Sequence, residues 1–107
     1  MTKSLLTWKN DDEFEKNYRI PEGVSVIGRF DEDSVADIQI GTEYGYKTIS
    51  RFHCRIYNEN GNLEIEDSDS INGTYINRIK INPGKKVPLR NGDELRLGEL
   101  ELEVIIK

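Results

Sequence analysis

The sequence predicts an all-β domain, a sandwich or a barrel, and three observations carry that prediction. Apolar and polar residues alternate over short runs, as in Asp37-Ile38-Gln39-Ile40 and along Leu100 to Ile106. A period of two marks a half-buried strand. Clusters of Gly, Asn and Pro divide these runs: Pro21-Glu22-Gly23, Asn60-Gly61, Asn82-Pro83-Gly84 and Asn91-Gly92-Asp93. These are turn chemistries. No window of ten or more residues repeats apolar positions at the helical period. About ten or eleven short strands follow, spaced as in a sandwich or barrel.

Ser4 to Trp8 opens the chain as a strand, and Lys9 to Glu15 is a charged connection. Phe14 and Tyr18 stand four apart, the spacing of one helical face, but the stretch is too short to hold a helix in water. Asn17 to Ile20 reads instead as a second strand, stopped at Pro21, and Val24 to Gly28 as a third that runs straight into Arg29. An acidic loop follows, with Asp31, Glu32 and Asp33. After the strand Asp37 to Ile40 comes a long loop, Gly41 to Ile49, with two glycines and two tyrosines.

His53 to Asn58 alternates again. Strand geometry would put Cys54 and Ile56 on one face and His53, Arg55 and Tyr57 on the other. Asn60-Gly61 is a strong hairpin signal, because a two-residue turn needs positive φ at both central positions. Leu63 to Asp67 returns with Leu63 and Ile65 inward, Ser68 to Gly73 is a loop, and Thr74 to Ile76 is a short strand. Leu95 and Leu97 share a face. In the last strand Leu100, Leu102, Val104 and Ile106 point one way and Glu99, Glu101 and Glu103 the other. Outward glutamates would protect that strand against edge-to-edge pairing.

The chain has 107 residues, enough for one domain with one core, taken as residues 1–107. A chain of this length is equally compatible with one part of a longer protein. Its net charge of −5 argues against nucleic acid or an anionic membrane as the main partner. No segment approaches the roughly 18 apolar residues of a membrane span, and the N-terminus carries no apolar run of signal-peptide length. Cys54 is the only cysteine. No disulfide can form within the chain, and a reducing, cytoplasmic or otherwise intracellular compartment is expected.

From Gly28 onward the motifs fall in a telling order. They are Gly28-Arg29 after a strand, then Asp37-Ile38-Gln39-Ile40, Ser50-Arg51-Phe52-His53 and Leu63-Glu64-Ile65-Glu66-Asp67. Asn72-Gly73-Thr74-Tyr75-Ile76-Asn77, Asn91-Gly92-Asp93-Glu94-Leu95 and Leu97-Gly98 complete the series. Each piece alone is weak, but together they resemble a forkhead-associated (FHA) domain. The motif region extends over residues 18–106 when the strand and turn before Gly28 are included. The resemblance implies an eleven-stranded β-sandwich of two sheets. It also implies that loops at one end bind phosphothreonine peptides of a partner protein, with no cofactor and no catalysis.

Arg29 on its own reads as a solvated surface residue or as a fixed guanidinium suited to phosphate. The resemblance favours phosphate. Ser50 offers a hydroxyl and a backbone amide, and by resemblance contacts phosphate directly; Arg51 matches the family's second arginine. Asn72 by resemblance hydrogen-bonds the peptide backbone. Lys47 and Thr48, just before Ser50, stand where ligand flanks would pass, as Arg78 and Lys80 do after Thr74. Gly28, His53, Gly73 and Thr74 are expected to support the loops.

His53 with Ser50 invites a catalytic dyad, but if both lay in the strand, a separation of three would put them on opposite faces. One His and one Cys make no convincing metal ligand set. Cys54 is expected to be a small buried hydrophobe. Asn72-Gly73-Thr74 is also a glycosylation sequon, though nothing points to secretion. The residue before Asn72 is often polar in the family; here it is Ile71, which removes a possible hydrogen bond and offers an apolar wall. Ile71 keeps a second function open, a phosphate-independent scaffold or docking domain.

Overall fold

The computed structural model describes residues 3–9, 14–41 and 43–107. Among them are eleven strands: β1 (Ser4–Lys9), β2 (Glu15–Arg19), β3 (Gly23–Arg29), β4 (Ile38–Ile40), β5 (Cys54–Glu59), β6 (Asn62–Asp67), β7 (Thr74–Ile76), β8 (Ile79–Lys80), β9 (Lys86–Leu89), β10 (Glu94–Leu97) and β11 (Leu100–Ile106). A single 3-10 turn, Tyr46–Thr48, is the only helical element among the described residues. The strands form a six-stranded sheet, β2-β1-β11-β10-β7-β8, and a five-stranded sheet, β4-β3-β5-β6-β9. Every registered pair is antiparallel except β3 with β4. The middle of the charged connection, residues 10–13, lies outside the described residues.

Alternation explains the core. Leu6, Ile27, Ile56, Ile65, Leu97 and Val104 are fully buried, and they come from both sheets. Removing one such side chain down to alanine costs about 2–5 kcal/mol. The hairpin at Asn60-Gly61 is built as its sequence requires, with φ of 52° and 86° and Glu59 paired to Asn62. Two strands have no clear alternation in the sequence. β8 is only two residues long. β9 contains Pro88, which its place at the edge of its sheet tolerates.

Three expectations need correction. The second strand begins at Glu15 and ends at Arg19, with Tyr18 in β2 opposite Leu6. The last strand does carry its glutamates outward, but it lies between β1 and β10 in the middle of its sheet. Those glutamates therefore guard no edge. His53 is fully buried, although alternation put it outside. It precedes the β5 ladder, so the period of two does not reach it.

Strand direction gathers the loops. β3 ends, β5 begins and β6 ends at the same end of the five-stranded sheet. Gly98, at the β10–β11 turn, donates to the Gly73 carbonyl at 3.0 Å, which brings the other sheet to that end.

Candidate functional site

Backbone hydrogen bonds extend the β3 strand into the following loop. Arg29 N donates to Ser50 O at 3.0 Å, and His53 N donates to Ile27 O at 2.9 Å. Only glycine fits at 28, because a Cβ there would fall 1.7 Å from the Arg51 carbonyl oxygen. The residues from Ser50 to His53 thus lie directly over the end of β3, beside Arg29.

His53 joins two loops. Its Nε2 bonds the Gly73 carbonyl at 2.9 Å, and its Nδ1 accepts the Ser50 amide at 3.1 Å. A carbonyl only accepts and an amide only donates, so the ring is the neutral Nε2–H tautomer. Burial lowers its pKa; the Gly73 carbonyl and the Asp67 charge oppose that shift without cancelling it.

Asp67 organises the next loop. It accepts the Ser70 hydroxyl at 2.5 Å, the Ser70 amide at 3.1 Å and the Thr74 hydroxyl at 2.6 Å. Burial alone would raise its carboxyl. The Ser70 and Thr74 hydrogen bonds and the nearby His53 outweigh burial and hold it below the usual carboxylate range. The Ser70 hydroxyl in turn accepts the Gly73 amide at 3.1 Å, where Gly73 turns with φ 86°. Two further bonds cross between loops: Ile71 N donates to Ser50 Oγ at 3.1 Å, and Asn72 Nδ2 donates to the Thr48 carbonyl at 2.9 Å. The long loop is anchored from behind by buried Glu43, which meets the Tyr18 hydroxyl and, at 3.0 Å, Lys16 Nζ.

The result is a cleft of about 330 Å³ lined by Arg29, Lys47, Thr48, Ile49, Ser50, Arg51, Ile71 and Asn72. The seven residues named from the sequence as ligand contacts all line it. Gly28, His53, Gly73 and Thr74 stand behind it, Gly28 through its close approach to Arg51 and the others through their hydrogen bonds. Three cations meet here on a chain of net charge −5. Arg51 Nε lies 3.6 Å from Asp31 Oδ2, whereas no carboxylate among the described residues is within ion-pair distance of Arg29. A larger hollow of about 500 Å³, lined by Tyr57, Glu59, Glu64, Pro88, Arg90 and others, lies at the opposite end. It combines one arginine with two carboxylates and lacks a set of anion donors.

The geometry narrows what three of these residues can offer. The Ser50 amide is occupied by His53, so Ser50 has only its hydroxyl proton to offer a ligand. The Thr48 hydroxyl donates to Gly45 O at 2.6 Å and accepts Glu99 N at 2.8 Å, so Thr48 serves the cleft through its carbonyl. Lys80 packs near Gly73, but Arg78 sits at the far tip of the β7–β8 hairpin, away from the cleft. Ser50 and His53 do touch, yet His53 turns neither ring nitrogen to the Ser50 hydroxyl. Among the described residues no group of three or more His, Cys, Asp or Glu is placed to hold a metal ion. No described helix is long and apolar enough to cross a membrane.

Three contributors were missed in the sequence: Ile49 in the wall, Asp31 beside Arg51, and Asp67 as the buried acceptor. Only Asp67 had a signal. The run Asp67-Ser68-Asp69-Ser70 is rich in side chains that bond back to nearby backbone.

Comparison with known proteins fits this geometry. Residues 25–98 match the family model of the FHA domain. The chain is 34% identical over 104 residues to protein FraH of Nostoc, covering 95% of this chain and 35% of FraH. It spans about a third of the length of the first curated relatives it matches. Among solved structures, the yeast Pml1 splicing factor superposes with a TM-score of 0.81 at 30% identity, covering 99% of this chain and 80% of that one. A structure solved for the analysis of phosphothreonine-dependent FHA domain interactions superposes with a TM-score of 0.75 at 28% identity, covering 98% and 96%. A family model matched over more than half the chain establishes that the chain belongs to the FHA domain family.

Proposed function

We propose that the domain, acting as one unit over residues 1–107, binds a phosphothreonine-containing segment of a partner protein in the Arg29–Ser50–Asn72 cleft. One observation carries this reading: Arg29 lines the cleft with no carboxylate among the described residues within ion-pair distance, beside the Ser50 hydroxyl, which accepts the Ile71 amide and keeps its own proton for a ligand. Arg29 and Arg51 neutralise the phosphate, Ser50 donates to it, and Asn72, fixed by Thr48, bonds the ligand backbone. A relative described by its phosphothreonine-dependent interactions supports the same reading.

Each hydrogen bond to a charged group contributes roughly 1.5–3 kcal/mol before ordering costs. A few of them, offset by fixing a flexible peptide, give modest and reversible binding suited to a signalling reader. The chain is proposed to act by binding, without catalysis, because His53 holds the Ser50 amide and leaves the hydroxyl unactivated. One buried thiol and no second cysteine support an intracellular setting.

The test is titration of a phosphothreonine peptide pool against wild type and Arg29→Ala, with the unphosphorylated pool alongside. Binding that needs both the phosphate and Arg29 supports the reading; binding indifferent to both overturns it. A second reading, a phosphate-independent docking surface, is favoured by Ile71, which lines the cleft with 88% of its surface exposed. The same titration separates the two.

A further inference from the structure

Arg51 and Asp31 form an ion pair across the rim of the cleft, Nε to Oδ2 at 3.6 Å, with both side chains part-exposed. Asp31 is held in place by its own turn: its Oδ1 accepts the Asp33 amide at 2.9 Å, and its carbonyl accepts the Ser34 amide at 3.0 Å. The contact uses Nε, so both terminal nitrogens of Arg51 remain available to the cleft. Before ligand arrives, Asp31 balances Arg51.

Charge balance changes when phosphate binds. A phosphothreonine carries about −1.5 to −2. Arg29 and Arg51 together offset that charge, and among the described residues no other cation is within ion-pair distance of Asp31. Lys47, exposed and also lining the cleft, adds a positive charge. A ligand cation beside Asp31 restores the balance.

We propose that Asp31 is a specificity-determining residue: it gives up Arg51 to the phosphate and takes a lysine or arginine of the ligand. The domain therefore selects a phosphothreonine segment with a basic residue near the phosphorylated one. This rests on the phosphothreonine reading above.

The experiment uses short phosphothreonine peptides, alanine elsewhere, with a single Lys or a single Glu moved through the positions near the phosphothreonine. Wild type, Asp31→Asn and Asp31→Lys are titrated at low and high salt. The alanine-only phosphopeptide and its unphosphorylated twin are the references. Asparagine keeps the bond to the Asp33 amide, so the turn is retained. The expected result is a preference for Lys over Glu of about fivefold at one position in wild type, the scale of one Coulombic contact in water. Asp31→Asn removes most of that preference and Asp31→Lys reverses it, while phosphate dependence persists in both. A charge preference that is absent in wild type, or that survives both substitutions, overturns the proposal and leaves the phosphothreonine reading standing. Loss of phosphate dependence in wild type overturns the reading, and the proposal with it.

Discussion

Residue 28 and residue 51 cannot both keep their backbone positions unless residue 28 is glycine. A Cβ at 28 would fall 1.7 Å from the Arg51 carbonyl oxygen and 2.5 Å from its carbonyl carbon. The obstacle is backbone, so no side-chain rotation relieves it. Gly28→Ala should therefore push the 50–53 turn away from β3. We expect a loss of about 3 kcal/mol, the upper range for overpacking, measured by urea unfolding. Phosphopeptide affinity should fall in whatever fraction remains folded.

Arg29→Ala should act on binding without acting on stability. The side chain is partly buried and carries no ion pair among the described residues. Losing one charge-assisted contact costs about 1.5–3 kcal/mol, roughly tenfold to a hundredfold in Kd. Calorimetric titration and a melting curve on the same sample read both quantities. Arg29→Lys should recover only part of the affinity, because an ammonium lacks the guanidinium fork.

Acid should loosen the loops through His53. Burial sets its pKa below the ordinary 6.5. Between the native value and 6.5 the unfolded chain binds the extra proton and the native state does not, so stability rises with pH across that window. The His53 contribution is fully present above 6.5 and is lost as pH falls below it. Protonation also ends the Ser50 N–H···Nδ1 bond. Urea midpoints across this range should decline toward acid, and His53→Gln should flatten the decline.

Asp67 should be the costliest polar residue to remove. Asp67→Ala leaves the Ser70 and Thr74 hydroxyls without their acceptor. We expect a loss of about 3 kcal/mol in urea unfolding. Its lowered carboxyl gives stability that is present above the ordinary 3.8 and lost as pH falls through the lower native value. Acid unfolding of Asp67→Asn should lack that component.

Threonine should be preferred over serine in the ligand. One buried methyl contributes about 0.8 kcal/mol, roughly a fourfold difference. Matched phosphothreonine and phosphoserine peptides should show it. Equal binding would mean that the γ-methyl finds no wall, and would remove Ile71 as its candidate partner.

The strands were legible wherever burial is one-sided. Ile38 and Ile40, or Leu102 and Val104, alternate with polar neighbours because one face meets the core and the other water. β8 and β9 were not, since a two-residue bridge and a proline-bearing edge owe their pairing to neighbours. The rank of β11 within its sheet was invisible for a related reason: alternation reports which face is buried, not which strands lie on either side. At the cleft, motif order named residues that line one cleft in the structure. It could not show which of their donors the protein already uses, such as the Ser50 amide held by His53 and the Thr48 hydroxyl held by Gly45. His53 shows the limit most clearly, because the face of a residue beyond the ladder is decided by hydrogen bonds to loops distant in sequence.

Cys54 gives the molecule a built-in reporter. It is the only cysteine and is fully buried at the start of β5. Burial, and then the Asp67 charge, push its thiol pKa far up, so the native state presents no reactive thiolate. An alkylating reagent can reach it only when the sheet opens, and the modification rate then counts openings. A ligand that binds only the closed form must slow that rate by the factor one plus its concentration over Kd. Candidate ligands can thus be ranked by mass spectrometry on the unaltered chain, without a dye, a tag or a substitution.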